Sequence, residues 1–337
     1  MTGPLSFGFK RAGWPARVLA LITLFATAQA LATAGSSRWG SEYFPNVELT
    51  NQDGQKLRFY DDVIKDKIVA INFIFTSCRA ICPAETARMR QVEKALGEQM
   101  GRDVFFYSIS IDPDRDTPEV LKAYAAKFGT GPGWQFLTGK EEDVILLQKK
   151  LGLWVTDAQS IDPKDHSINL IVGNESTGRW SKRSSFDDPK VLARLLGESL
   201  NNYRFARATP EANYAAADHR VEFTPGEHLF NIRCKACHTV DGSGAEHVGP
   251  DLLGVVERRD AAWLRRWIKE PNVMLEEEDP LAMALYRQYR ELPMPNLGLS
   301  DKEVEQVIEY MSTVGKEGSK ISDSSPSASD SATVPGS

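Results

Sequence analysis

The run KIVAINFIFT at residues 67–76 is apolar apart from Lys67, Asn72 and Thr76. A strand with so little polar alternation must be covered on both faces, which places it inside a sheet flanked by helices. The following sequence supports that reading. PAETARMRQVEKALGEQM reads as a helix beginning at Pro83, a favoured first-turn residue. VFFYSISID at 104–112 is a second strand, and DTPEVLKAYAAKFG is a helix with Thr117 as cap, Pro118 in its first turn and Gly129 as its stop. WQFLTG is a short strand, EEDVILLQKKLG a helix, and HSINLIVGN at 166–174 a third strong strand. GRWSKRSS pairs with that strand through a turn at Asn174–Gly178, and DPKVLARLLGESLNN closes the unit as a helix. Strands alternating with helices predict an α/β domain with a mixed, partly parallel sheet.

This periodicity ends at 203–221, YRFARATPEANYAAADHRV, which reads as a linker. Beyond it no strand-like run occurs. TPGEHLFNIRCKACH starts a helix with Thr224 and Glu227 as a capping box, DAAWLRRWIKEP is a helix stopped by Pro271, and SDKEVEQVIEYMSTVG carries a second capping box at Ser300 and Glu303. Val304, Val307, Ile308 and Met311 share one face of that last helix. The expected division is therefore 1–34 leader, 35–202 α/β domain with an extended lead-in over 35–55, 203–221 linker, 222–314 small all-helical domain, and a Ser-rich disordered tail over 315–337.

Residues 1–34 resemble an export signal. Lys10, Arg11 and Arg17 precede VLALITLFATAQALATA, with small-residue cleavage points at Ala28-Gln29-Ala30 and Ala32-Thr33-Ala34. The apolar stretch is short for a spanning helix, and both cleavage and retention as an N-terminal anchor stay open. Export to the periplasm is the expectation. A net charge of −6, with no basic stripe interleaved with aromatics, gives nucleic-acid binding no support.

All four cysteines fall in two tight pairs, Cys78/Cys82 and Cys234/Cys237. Such pairs point to chemistry and not to a disulfide scaffold. Cys234-Lys235-Ala236-Cys237-His238 is the c-type haem attachment signature. Thiols one turn apart can each bond a vinyl group, and the next residue brings an imidazole to the iron. A zinc half-site would need a second ligand pair, and the other cysteines lie in a different domain. For the sixth position Met294 is favoured, because Pro293 and Pro295 hold it in a rigid loop. His247 is its rival; Met274, Met283 and Met311 read as apolar filling.

Cys78 and Cys82 sit where the buried strand hands over to a helix, the edge at which open α/β sheets build sites. A helix N-terminus is expected to lower a thiol pKa there. Two soft thiolates suit copper(I) with His166 as third ligand, while a structural disulfide stays open. Asp112, Asp114 and Asp116 read as a capped turn, with a secondary metal or partner surface as the alternative.

Over roughly 40–200, the segments FIFTSCRAICPAETARM, YSISIDPDRDTPEVLKAYAAKFG and DHSINLIVG resemble the Sco/SenC family in order. The resemblance implies a thioredoxin-like fold, copper ligands at Cys78, Cys82 and His166, and a role at the dinuclear copper site of cytochrome c oxidase, by copper delivery or thiol reduction. Arg79-Ala80 stands where many members carry Pro-Asp, and the arginine is expected to favour thiolate. Residues 222–314 resemble a class I cytochrome c domain through CKACH, VGPDLLGV, the Met294-Pro295 pair and the final amphipathic helix. That implies covalent haem c with His238 and Met294 as axial ligands, Pro250 near the histidine, and Phe230 against Tyr310.

Two functions follow. One is a copper-binding assembly factor whose haem exchanges electrons with the copper or dithiol site. The other is a thiol–disulfide oxidoreductase at Cys78 and Cys82, supplied through the haem. A cytochrome domain serving only for docking, and a thioredoxin-like peroxidase, rank below them. Expected partners are the oxidase copper subunit or another periplasmic thiol or copper protein, together with electron-transfer proteins. Membrane contact is expected only through the N-terminal anchor.

Overall fold

The computed structural model describes residues 39–79, 81–154, 169–202, 204, 223–243 and 248–323, with side chains as far as 316. The leader, all of the linker but Arg204, His166 and His247 lie outside the described residues.

Seven strands form one sheet in the order β2-β1-β5-β4-β3-β6-β7. They are β1 (Glu48–Asn51), β2 (Lys56–Arg58), β3 (Ile68–Ile74), β4 (Val104–Ser110), β5 (Trp134–Gly139), β6 (Asn169–Asn174) and β7 (Arg179–Ser184). β3–β4 and β4–β5 are parallel, and the other pairs are antiparallel, so the sheet is mixed as expected. Every residue of β3 is buried. Its alternate side chains feed two cores. Ile68, Ala70 and Ile74 join one, and Val69, Ile71 and Phe73 join the other.

The first core is covered by α1 (Ile81–Leu96), α2 (Pro118–Phe128) and α4 (Pro189–Arg194), the second by α3 (Glu141–Lys150) and a single turn at Phe59–Ile64. The Thr117 side chain accepts from the Val120 amide, and Gly129 closes α2 in the left-handed region at φ 63°. Two expectations need correction. α1 starts by Ile81 rather than at Pro83. The lead-in over 35–55 contains β1, whose antiparallel partners are β2 and β5. Both strands are too short to show a period in the sequence.

The described residues of the C-terminal unit form helices joined by turns and loops, with no strand among them: α5 (Pro225–Leu229), continued by a wider turn over Phe230–Cys234, then α6 (Val255–Arg258), α7 (Ala261–Lys269), α8 (Pro271–Glu276), α9 (Pro280–Gln288) and α10 (Asp301–Asp323). Pro271 ends α7 but also opens α8, since a proline fits a first turn. The Ser300–Glu303 capping box is reciprocal: the Ser300 amide donates to Glu303 Oε2 at 2.8 Å, and the Glu303 amide donates to Ser300 Oγ at 3.4 Å. α10 runs on to Asp323, which corrects the tail expected from 315. No helix among the described residues is long and apolar enough to cross a membrane.

α5 crosses α10 at Gly226, where an added Cβ would lie 1.9 Å from the Gln306 carbonyl oxygen. The Phe230 and Tyr310 rings meet there at 5.4 Å, the pairing that the cytochrome c resemblance implies.

The two units touch. Ala236, between the haem-motif cysteines, is buried in the same core cluster as Cys78, Cys82, Tyr124 and Phe128. Gln91 of α1 donates to the Lys235 carbonyl at 2.8 Å, and the buried Arg88 donates to the Asn231 carbonyl at 3.4 Å.

Candidate functional site

Cys234, Cys237, His238 and Met294 line one cavity, with about 1320 Å³ of space between its atoms, open mouth included. Its wall is mainly apolar, with Trp263, Trp267, Leu264 and Ile268 among the lining residues. The local fold explains how His238 is held. The Cys237 and His238 amides both donate to the Cys234 carbonyl at 3.0 Å, and the Gly249 amide donates to the Cys237 carbonyl at 2.9 Å. His238 Nδ1 lies 2.9 Å from the Pro250 carbonyl oxygen. A protonated Nδ1 donates there, so Nε2 is the ring nitrogen that could ligate a metal. Gly249 is required by this close approach, because a Cβ would meet the His238 ring at 2.7 Å.

These features fit a covalent haem c: two thiols on one turn, an oriented imidazole, a thioether in the same cavity, an apolar wall, and Arg258 and Arg259 to meet haem carboxylates. Burial holds both thiols up to about 12, so in the haem-free chain they are neutral. Of the other methionines, Met311 also lines the cavity from the buried face of α10, whereas Met274 is not among its lining residues and lies in the buried cluster against which Met294 packs.

The second pair is built where β3 ends. Cys78 follows the strand in a turn, its amide donating to the Phe75 carbonyl at 3.3 Å, and Cys82 lies in the first turn of α1. Both are buried and reduced, and their thiols hydrogen-bond to each other. The expectation of a lowered thiol pKa fails at Cys82. Burial, then the Cys78 thiol, push it up, against a lowering hydrogen bond with the Phe75 backbone. Arg79 is exposed.

What sequence reading missed in the acidic turn is the role of Asp116. It is fully buried and accepts from the Thr76 amide at 3.1 Å, Thr76 Oγ1 at 2.5 Å and Ser110 Oγ at 2.5 Å. It therefore anchors the turn that carries Cys78. Asp112 meets Arg115 at 3.4 Å, which makes this a structural turn as expected. Thr86 Oγ1 donates to the Cys82 carbonyl at 2.8 Å and lies 3.0 Å from the buried Tyr124 hydroxyl. Among the described residues no group of three potential metal ligands gathers.

The two sites adjoin. Pro83, bonded to Cys82, lines the haem-motif cavity, and so does Phe128, whose ring lies 4.9 Å from that of Tyr124.

Residues 36–196 match the SCO1/SenC family and residues 223–315 match the cytochrome c family. A SCO1 protein homolog of Bacillus subtilis is 38% identical over 96 residues, covering 28% of this chain and 48% of its own. The chain thus spans about half the length of that relative. A protein named as copper-binding from Stutzerimonas stutzeri is 32% identical over 164 residues, covering 48% of this chain and 78% of its own. The solved structure of a SCO1/SenC family lipoprotein from Bacillus anthracis str. Ames aligns with a TM-score of 0.41 at 28% identity, covering 51% of this chain and 99% of that one.

Proposed function

The chain belongs to the SCO1/SenC family, and from that premise we propose that it is a periplasmic copper carrier with its own redox unit. Cys78 and Cys82 hold copper(I), with His166 completing the set, for transfer to the copper site of cytochrome c oxidase. In the C-terminal unit Cys234 and Cys237 would hold haem c covalently, and His238 and Met294, which line the same cavity, would bind its iron. Bound there, haem supplies one-electron exchange.

What carries this reading is the covalent step from Cys82 to Pro83, because one residue belongs to the thiol pair and the next to the haem cavity. The protein's own residues do the rest. Asp116 fixes the Cys78 turn, and the neutral Cys82 thiol gives up its proton as metal binds. The Pro250 carbonyl orients His238, and Gly249 leaves room for its ring.

The thiol–disulfide reading draws support from the hydrogen-bonded dithiol itself. Copper(I) titration of reduced protein separates the two. Copper carriage predicts one tightly held copper, lost in Cys78→Ser and much weakened in His166→Ala. A wild-type protein without tight copper, but with a reversible dithiol couple, would leave the oxidoreductase.

A further inference from the structure

The cavity assigned to the haem is not closed by the cytochrome unit alone. Pro83 at the start of α1 and Phe128 at the end of α2 belong to the thioredoxin-like unit, and both line it. Phe128 is nearly fully buried, so its ring lies between two units and not at a surface.

The neighbouring backbone is tied down from the same place. Lys127 Nζ donates to the Glu291 carbonyl at 3.2 Å, and Arg290 donates back to the Lys127 carbonyl at 2.9 Å. Arg290 and Glu291 have φ of 59° and 54°, two consecutive non-glycine residues in the left-handed region. Such a conformation persists where its surroundings over-determine it. The turn leads straight into Leu292 and the Pro293-Met294-Pro295 loop. Leu292 packs against the core cluster that holds Cys82 and Phe128.

We propose that Pro83 and Phe128 of the thioredoxin-like unit form a wall of the haem crevice, and that Lys127 holds the turn presenting Met294 to it. These are positioning residues: they exclude water from the crevice and set where the thioether stands. The inference rests on the haem reading of this cavity and is independent of copper delivery. An apolar shell around a metal centre controls solvent access and so its potential. Admitting water favours the ferric state and lowers the potential.

The test uses the full chain matured with haem, as wild type, Phe128→Leu and Lys127→Met. The first removes the ring and keeps apolar bulk; the second removes an exposed ammonium and leaves the cores untouched. Two readouts are taken, the midpoint potential and the rate of cyanide binding to the ferric protein. Phe128→Leu is expected to speed cyanide entry and to lower the midpoint potential, by about 59 mV for each tenfold shift of the ferric–ferrous balance. Lys127→Met is expected to weaken the methionine-to-iron absorbance and move the potential the same way. Both readouts unchanged in both haem-bearing variants would overturn the proposal. Absence of covalent haem from the wild type would overturn the underlying haem reading instead.

Discussion

Gly249→Ala tests how the haem site is built. The backbone of Gly249 lies outside the left-handed region, so alanine is conformationally acceptable there. The effect is therefore steric. The new methyl would stand 2.7 Å from His238 Cε1, 2.9 Å from Nδ1 and 3.0 Å from the Cys237 carbonyl oxygen. Relief requires the imidazole to swing away, which breaks its 2.9 Å contact with the Pro250 carbonyl. Overpacking costs roughly 1–3 kcal/mol. The lost hydrogen bond adds about 1 kcal/mol. A total near 3 kcal/mol should lower the melting temperature of the C-terminal unit by more than about 10 °C, given roughly 4–8 °C per kcal/mol in a domain of this size. Differential scanning calorimetry and the haem absorption spectrum of matured protein measure both consequences. The spectrum should show weakened histidine ligation. A variant with wild-type melting and an unaltered spectrum would refute the claim that Gly249 makes room for the axial ring.

Three further outcomes are expected. Gly226→Ala should force α5 from α10, because its Cβ would lie 1.9 Å from the Gln306 carbonyl oxygen; a loss of about 2 kcal/mol or more, at the upper part of the overpacking range, should appear in calorimetry. Asp116→Ala strands the half-buried donors of Thr76 and the buried hydroxyl of Ser110; it should cost about 3 kcal/mol and speed alkylation of Cys78, read by mass spectrometry. Cys82 has a folded pKa raised by burial, so the fold favours its neutral thiol. Its contribution is fully present below the unfolded thiol value of about 8.5 and is lost as pH rises toward the folded value. Urea midpoints of copper-free reduced protein should fall above that pH, by up to about 1.4 kcal/mol per unit for this proton. Cys82→Ala should remove that part of the slope.

What the sequence disclosed follows physical rules that act locally. The two-sided burial of β3, the Thr117 cap, the Ser300–Glu303 box and the spacing of Cys234, Cys237 and His238 each express a constraint within a few residues. What stayed hidden depends on contacts distant in sequence. Nothing in Ala236 announces that it is buried in the core cluster that holds Cys82. Asp116 reads as a turn acid until its three donors are seen around it. The raised Cys82 pKa arises first from burial, and burial is a property of the whole fold. Pro83 illustrates the same divide. Its residue type predicts a first turn of helix, and only the folded chain puts it on the wall of the haem cavity.

The central claim is that the thiol pair and the haem cavity act as one unit within one chain. Its most direct measurement is stopped-flow absorbance of anaerobic, ferrous-haem protein mixed with one equivalent of copper(II). The balance is one electron: a ferrous haem held by Cys234 and Cys237 would supply it, and copper(II) at Cys78 and Cys82 would take it up as copper(I). The account predicts haem oxidation in a first-order phase whose rate is independent of protein concentration and which disappears in Cys78→Ser/Cys82→Ser. A rate proportional to protein concentration, or one unchanged in the double variant, would contradict it.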